Sequence, residues 1–315
     1  MKVLVTGGAG FIGSHIADAY LAAGHEIVVV DNLSTGRHEY VNPGARFYEV
    51  DIRGPELREV FERERPEVVN HQAAQASVIL SIDDPRLDAE INVLGTVHLF
   101  ALCAEFGVRR IIFASTGGAI YGDPEHLPVE ETSPARPLAP YGISKLTGEM
   151  YLRFFSARGL QWAILRYANV YGPRQDPYGE AGVVAIFTRA MLEGRSPVIH
   201  GNGTQTRDFV YVEDVARANL LATDALTSGL ANIGTGMETS VNEIYRQLAA
   251  FTGFRGRPTY AAARPGEVYR IALSAEPAKQ WLGWMPRTTL SEGLRRTVDW
   301  LRLPGLPRPL EWEGR

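Results

Sequence analysis

Lys2-Val3-Leu4-Val5-Thr6-Gly7-Gly8-Ala9-Gly10-Phe11-Ile12-Gly13 decides how the rest of the chain is read. The apolar run Val3-Leu4-Val5 has the length and composition of a fully buried strand. Three glycines follow, Gly7, Gly10 and Gly13, and Ser14-His15-Ile16 opens a helix. Each glycine has a mechanical reading. Gly7 makes the tight turn, Gly10 lets backbone approach a pyrophosphate, and Gly13 lets the helix pack close to the strand. The helix N-terminus then presents unpaired N–H groups and the positive end of its dipole to phosphates. The stretch predicts a dinucleotide cradle. Moving outward, the helix stops at Gly24 and a second buried strand, 27–30, ends in Asp31-Asn32. Asp31 stands 18 residues beyond Gly13, where an acid can bond the adenosine ribose hydroxyls. A carboxylate there repels a 2′-phosphate, so NAD is expected rather than NADP.

The pattern then repeats. Short apolar runs at 47–50, 68–70, 110–114 and 162–166 read as strands. Amphipathic or apolar stretches at 57–65, 86–106 and 141–158 read as helices, the second carrying Asn92. Alternation this regular predicts an α/β fold, a Rossmann-type doubly wound parallel sheet. Ligands of such sheets sit at the carboxyl ends of the strands. Asp31, Asp51, the Ala73-Ala74 turn and Ser115-Thr116 all fall there. His71 reads as a satisfied structural histidine. Beyond residue 172 the alternation weakens, with helices expected at 183–192, 216–224, 241–251 and 290–301. The expected organisation is therefore a nucleotide-binding domain, 1–172, and a smaller C-terminal α/β substrate domain, 173–315, with later segments returning to the first.

Composition narrows the class. The 315 residues are 45% hydrophobic and 22% charged, enough for a large core. A net charge of −4 implies no basic field for nucleic acid. Cys103 is the single cysteine, which excludes an intrachain disulfide framework and zinc-finger spacing. No metal site is expected. No apolar run approaches the ~18 residues of a membrane span, and the first residues already form a strand, with no leader read ahead of them. The expectation is a cytoplasmic protein without membrane or nucleic-acid partners. Lysine is scarce: Lys2, Lys145 and Lys279 are the only three.

Chemistry enters at Tyr141-Gly142-Ile143-Ser144-Lys145, which follows a proline-rich loop and opens a helix. Tyr141 and Lys145 are four residues apart and share one helix face. An ammonium beside a phenol stabilises the phenolate and lowers its pKa, which suits a general base near neutral pH. Such pairs also occur on ordinary surfaces. Behind a nucleotide loop, and with Ser115-Thr116 at a strand end, proton transfer beside a redox cofactor is the better reading.

These motifs resemble the extended short-chain dehydrogenase/reductase family, in its nucleotide-sugar epimerase and dehydratase branch, with the UDP-glucose 4-epimerases as the most similar subgroup. The resemblance covers about residues 1–303. It rests on the glycine loop, Asp31-Asn32, Asp51-Ile52, the Tyr141–Lys145 motif, Arg166-Tyr167-Ala168-Asn169-Val170-Tyr171-Gly172-Pro173, Arg207-Asp208-Phe209-Val210-Tyr211-Val212-Glu213-Asp214-Val215 and Arg264-Pro265-Gly266-Glu267. It implies NAD-dependent interconversion of UDP-glucose and UDP-galactose through a 4-keto sugar, in a homodimer paired through two helices. Related N-acetylhexosamine or uronate epimerases, and other sugar-nucleotide oxidoreductases, are the alternative. Leu94, Leu99, Met150, Leu152 and Phe155 on those helices suit either core or interface.

The resemblance also implies roles. Asp31 and Asn32 hold the adenosine ribose and Asp51 and Ile52 flank adenine. Ala73, Ala74 and Asn92 line the cofactor cleft, joined in the cofactor set by Phe11, Ile12, Ser34, Thr35, Gly36 and Gln72. Tyr141 is the base, and Lys145 bonds the nicotinamide ribose. Asn169 and Arg207 bind the sugar diphosphate with Arg264 assisting, Glu267 meets the uridine ribose, and Val183 and His200 complete the substrate set. One position departs from the family. Four residues before Tyr121, where a serine or threonine is usual, stands Gly117. Thr116, Ser115 or a water then takes that hydroxyl's place, Thr116 being the first choice. Gly117-Gly118 also lacks the acid pair that sugar dehydratases carry there.

Overall fold

The computed structural model describes residues 1–157, 159–178, 182–263 and 268–303. The chain runs β1 (Lys2–Thr6), α1 (Phe11–Ala22), β2 (Glu26–Asp31), β3 (Arg46–Glu49), α2 (Glu56–Glu64) and β4 (Val68–His71). It continues through α3 (Val78–Asp83), α4 (Pro85–Ala89), a π-helical turn (Glu90–Gly95) and α5 (Thr96–Glu105) to β5 (Arg110–Thr116). Then come α6 (Gly117–Ile120), α7 (Pro140–Ser156), β6 (Gln161–Tyr167), β7 (Asn169–Tyr171), α8 (Val183–Leu192) and β8 (Val198–His200). The remainder is β9 (Thr206–Arg207), β10 (Phe209–Tyr211), α9 (Val212–Thr223), β11 (Gly229–Ile233), β12 (Thr239–Ser240), α10 (Val241–Thr252), β13 (Thr259–Ala261), α11 (Glu276–Leu282) and α12 (Leu290–Leu301).

Seven strands form one parallel sheet, in the order β11-β6-β5-β4-β1-β2-β3. Its central strands are buried on both faces, which is why they read as unbroken apolar runs rather than alternating ones. One face packs α1 and α9 over Val3, Val5, Ile16, Tyr20, Val29 and Val215. The other packs α2, α5 and α7 over Leu4, Val28, Phe61, Phe100, Phe113 and Leu152. Strand order reverses between β1 and β4, and the crevice at their carboxyl ends is the natural ligand site of such a sheet. A second core, with Phe187, Ile199, Phe209, Ile244 and Leu294, lies under α8, α10 and α12. Residues after 172 serve both bodies, since β11 is the edge strand of the large sheet.

Several elements differ from the sequence reading: α6 and α11 were not expected, and α9 begins at Val212, one turn early. Helix α1 begins at Phe11, one turn early. Helix α3 was not expected, although Ser77 caps it by accepting from the Leu80 amide at 2.9 Å. The stretch read as one helix over 86–106 contains the π-helical turn, so its two ends are rotated against each other. This Pro85–Glu105 rod is the one helix among the described residues long and apolar enough to cross a membrane. Here its Asp88, Asn92, Thr96, Leu99, Phe100 and Cys103 are buried inside the fold. The structure also divides the apolar residues of the two paired helices. Leu99, Leu152 and Phe155 are core, whereas Leu94 and Met150 are exposed, together with Ile143, Tyr151 and Phe154.

Candidate functional site

The glycine loop joins β1 to α1 at the sheet's switch point. Gly7 has φ +68°, and a Cβ there would lie 2.6 Å from the Ala73 amide nitrogen. A Cβ on Gly13 would lie 2.1 Å from the Gly7 carbonyl oxygen. Both positions therefore demand glycine, one for backbone conformation and one for close approach. The helix starts after an extended Gly10 with neither a side-chain cap nor an acid in its first turn. Its leading N–H groups, with Phe11 and Ile12 among them, are suited to an anion. Asp31 ends β2 beside this loop. Its Oδ2 accepts from the Ala9 amide at 3.0 Å and its Oδ1 from the Leu33 amide at 2.8 Å. Each oxygen keeps a lone pair for a ribose hydroxyl. Burial pushes the Asp31 carboxyl up, and the two amides hold it down.

Gly36 closes over that carboxylate; a Cβ on it would lie 2.6 Å from Asp31 Oδ1. Asn32 and Ser34 form the rim, with Asn32 Oδ1 accepting from the Ser34 amide and hydroxyl at 3.1 and 2.8 Å, and Thr35 exposed next to them. Asn32 Nδ2 also donates to Asp51 at 2.9 Å. Asp51 takes both Arg53 guanidinium donors, and this pair brings its carboxyl down to about 2. Ile52 follows, buried.

Opposite the loop lies the turn after β4. The Gln72 amide donates to the Thr6 carbonyl at 3.0 Å and the Ala73 amide to Thr6 Oγ1 at 3.3 Å, with Ala74 next. His71 beneath is fully buried between Thr6 Oγ1 (2.7 Å) and Thr96 Oγ1 (3.0 Å). Burial, with the Lys145 cation second, brings its imidazole down to about 3. It is the structural histidine expected. Asn92 clamps the turn: its Oδ1 accepts from the Gln75 amide at 2.9 Å and its Nδ2 donates to the Gln75 carbonyl at 2.8 Å.

The residue expected to transfer the proton stands in the first turn of α7. Tyr141 is half-buried, and its phenol hydrogen-bonds Thr116 at the end of β5. Lys145, one turn along α7, is buried with Nζ 5.2 Å from the Phe113 ring centre and 6.0 Å from that of Tyr141. Burial brings its ammonium down to about 8, and Asp88 pulls it back up. The tyrosine corrects the sequence reading. Burial, then the Asp88 carboxylate, push its phenol above the ordinary range, and only Thr116 opposes them.

Ser115 takes no place beside the phenol. Adjacent strand residues point to opposite faces, and Ser115 Oγ donates to Glu149 Oε1 at 2.6 Å. Glu149 forms a two-pronged buried pair with Arg166, at 2.8 and 2.7 Å, and Arg166 reaches the Tyr121 hydroxyl at 2.8 Å. Gly117 faces away as well: a Cβ there would lie 2.2 Å from Leu273 Cδ1. A side chain at 117 and Leu273 cannot share that space.

Of the residues expected to bind substrate, Asn169 opens β7 close to Gly118, whose added Cβ would lie 3.4 Å from Asn169 Oδ1 and 3.8 Å from Thr116 Oγ1. That Oδ1 is buried without a hydrogen-bond partner among the described residues, which suits a ligand donor. Arg207 lies across from it, through the Asn169 amide bond to the Asp208 carbonyl at 2.9 Å. The Arg207 guanidinium donates to the carbonyls of Thr206 (2.9 Å) and Tyr269 (3.4 Å). Asp208 is instead fully buried and accepts from Thr235, Gly236 and Leu273. Val183 opens α8, half-buried, and His200 ends β8 with Nδ1 3.2 Å from the Ala262 carbonyl oxygen. Arg264 and Glu267 lie outside the described residues. Among the described residues no group of three or more His, Cys, Asp or Glu is placed to hold a metal.

Sequence reasoning missed Asp88 and Glu149 and gave Arg166 no role. Asp88 is four residues before Asn92 and Glu149 four after Lys145, so helical spacing from a known site residue would have found both.

Comparison with known proteins gives the family and supports the fold. The model of the NAD dependent epimerase/dehydratase family matches residues 3–234. UDP-glucose 4-epimerase of Mycolicibacterium smegmatis is 42% identical over 309 residues, covering 96% of this chain and 99% of its own. The structure of UDP-glucose 4-epimerase of Thermotoga maritima with UDP-glucose superposes with a TM-score of 0.94 at 50% identity, covering 96% of this chain and 99% of that one. The Thermus thermophilus UDP-glucose 4-epimerase in complex with NAD gives 0.92 at 47% identity over the same shares. A cradle shaped for a dinucleotide, a Tyr–Lys pair at its edge and these matches together establish that the chain belongs to the NAD dependent epimerase/dehydratase family.

Proposed function

We propose that this chain is an NAD-dependent 4-epimerase that interconverts UDP-glucose and UDP-galactose in the cytoplasm, as a homodimer. The observation that carries the reading is the Thr116–Tyr141–Lys145 group at the carboxyl end of β5, the same end of the parallel sheet as the glycine loop after β1. Gly7, Gly10, Gly13, Asp31, Asn32, Gln72 and Asn92 would hold NAD, and Lys145 would bond its nicotinamide ribose. When bound, NAD supplies a hydride acceptor at the sugar C4 and a positive ring.

The chain's own residues handle the proton. Burial raises the Tyr141 phenol, and positive charge near it favours its phenolate. It then takes the O4 proton of the sugar and later returns it, with Thr116 bridging phenol and O4. Asn169, Arg207, Val183 and His200, with Arg264 and Glu267, would hold the UDP, leaving the sugar free to turn and present its other face. Glycines in place of acids at 117 and 118 leave no residue there to drive elimination. The exposed row Leu94, Ile143, Met150, Tyr151 and Phe154 supports pairing with a second copy through the two helices. By the family resemblance Ile271 stands where a large tyrosine can exclude N-acetyl groups, and the smaller aliphatic side chain is compatible with N-acetylated sugars as a second reading.

The test uses purified protein and UDP-galactose with no added NAD. UDP-glucose should form, and denaturation should release NAD. Bound NAD without product overturns the reading. Tyr141→Phe should lose about 10²–10⁴ of the rate while keeping its NAD. A panel of UDP-hexoses, N-acetylhexosamines and uronates separates the two readings by relative kcat/KM.

A further inference from the structure

We propose that Asp88 is a positioning residue for this chemistry: a buried carboxylate that ties the cofactor-facing turn to α7 and serves as the counter-charge of Lys145. The inference rests on the epimerase reading for what Tyr141 and Lys145 do, but its geometry is independent of substrate. Asp88 is 1% exposed and accepts from three side chains on three segments. Ser144 Oγ on α7 reaches its Oδ2 at 2.6 Å. Asn92 Nδ2, one turn along its own rod, and Gln75 Nε2, on the turn after β4, reach its Oδ1 at 2.8 and 3.0 Å. Ser144 is the residue before Lys145, so this one carboxylate fixes where α7 stands against the cofactor turn.

The charges around Asp88 are few. From α7 it faces Tyr141 and Lys145, and it acts on both through space. His71, at the end of β4, is neutral and already bonded on both ring nitrogens. On its own rod, Arg86 and Glu90 pair with each other at the surface at 2.9 Å, and Asp83 and Asp84 are exposed at the end of α3. Asp88 is thus the carboxylate that offsets the desolvation of the Lys145 ammonium. Second to burial, the same charge raises the Tyr141 phenol. Removing it should move both groups toward lower pH together.

Asp88→Asn tests this in the full chain. The amide oxygen still accepts from Asn92 and Gln75, and its NH₂ donates to the Ser144 hydroxyl, which can accept. Shape is kept and charge removed. With three lysines in the chain, ¹³Cε-lysine NMR resolves Lys145, assigned through Lys2→Arg and Lys279→Arg. Its titration midpoint should fall by about one pH unit in Asp88→Asn, a readout needing no substrate. Both limbs of the kcat/KM–pH profile should move down with it. If Asp88→Asn does not fold, Asp88→Ser removes the same charge, keeps a hydrogen-bonding group and carries the same expectation. A Lys145 midpoint unchanged from wild type, with a pH profile that merely loses height, overturns the proposal. An inactive wild type whose Lys145 midpoint still responds to Asp88 overturns the epimerase reading instead.

Discussion

Acidification from about pH 7.5 to about pH 5 should weaken the fold by about 2 kcal/mol through His71 alone. The imidazole is sealed between Thr6 and Thr96 and stays neutral down to about 3. In the unfolded chain it takes a proton near the ordinary histidine value of about 6.5. Below that value the unfolded state binds the extra proton, so stability falls as pH drops through 6.5 and keeps falling until the folded state titrates. At about pH 5 the unfolded imidazole is protonated roughly 30 to 1 while the folded one is neutral, and RT ln 30 is about 2 kcal/mol. The assay is urea unfolding at both pH values, for wild type and His71→Asn with NAD in equal excess. The variant should be less stable at both, because Thr6 and Thr96 lose a partner. Its drop on acidification should nevertheless be about 2 kcal/mol smaller. His15, which burial brings down to about 4, is present in both proteins and cancels. Equal drops would refute the reasoning.

Further outcomes test the neighbourhood of the phenol. Thr116→Ala should lower kcat by about tenfold to a hundredfold, while Ser115→Ala should cost mainly stability, about 1 kcal/mol; the reverse ranking in initial rates would return the role to Ser115. Gly117→Ser should destabilise by about 1–3 kcal/mol through Leu273. That penalty should shrink by about 1 kcal/mol in a Leu273→Ala background, and strict additivity in the double-mutant cycle would sink the idea. Arg166→Met leaves Glu149 buried without its cation and should lower stability by about 3–5 kcal/mol in thermal or urea unfolding. A loss below about 1 kcal/mol would show that the pair is not buried in solution.

The parallel sheet was legible because strands buried on both faces leave unbroken apolar runs between glycines. The cradle was legible because steric demands at Gly7 and Gly13 are written directly as glycine. The Tyr141–Lys145 pair was legible from spacing, but the direction of its phenol was not. A sequence shows which charge is four residues away and hides how much water has been removed. Asp88 and Glu149 were hidden for a related reason, since an acid in a helix reads as a solvated face until its partners arrive from other elements. Alternation along β5 shows that Ser115 and Thr116 point apart, and only the packed helix α7 tells which one meets Tyr141. The return of β11 to the large sheet is a long-range pairing with no local signature.

The π-helical turn at Glu90–Gly95 works as a phase shifter. It holds one residue more than a regular helix would, which turns the Asp88 end of the rod against the Thr96 end by about 100°. Deleting a single residue there would leave a sound, even more regular helix. It would also swing Asp88 away from Ser144, or Thr96 away from His71, because the two ends could no longer keep their bearings at once. The rod is therefore keyed by residue count as much as by residue type, and a homologue one residue shorter here would have to grip α7 by other means.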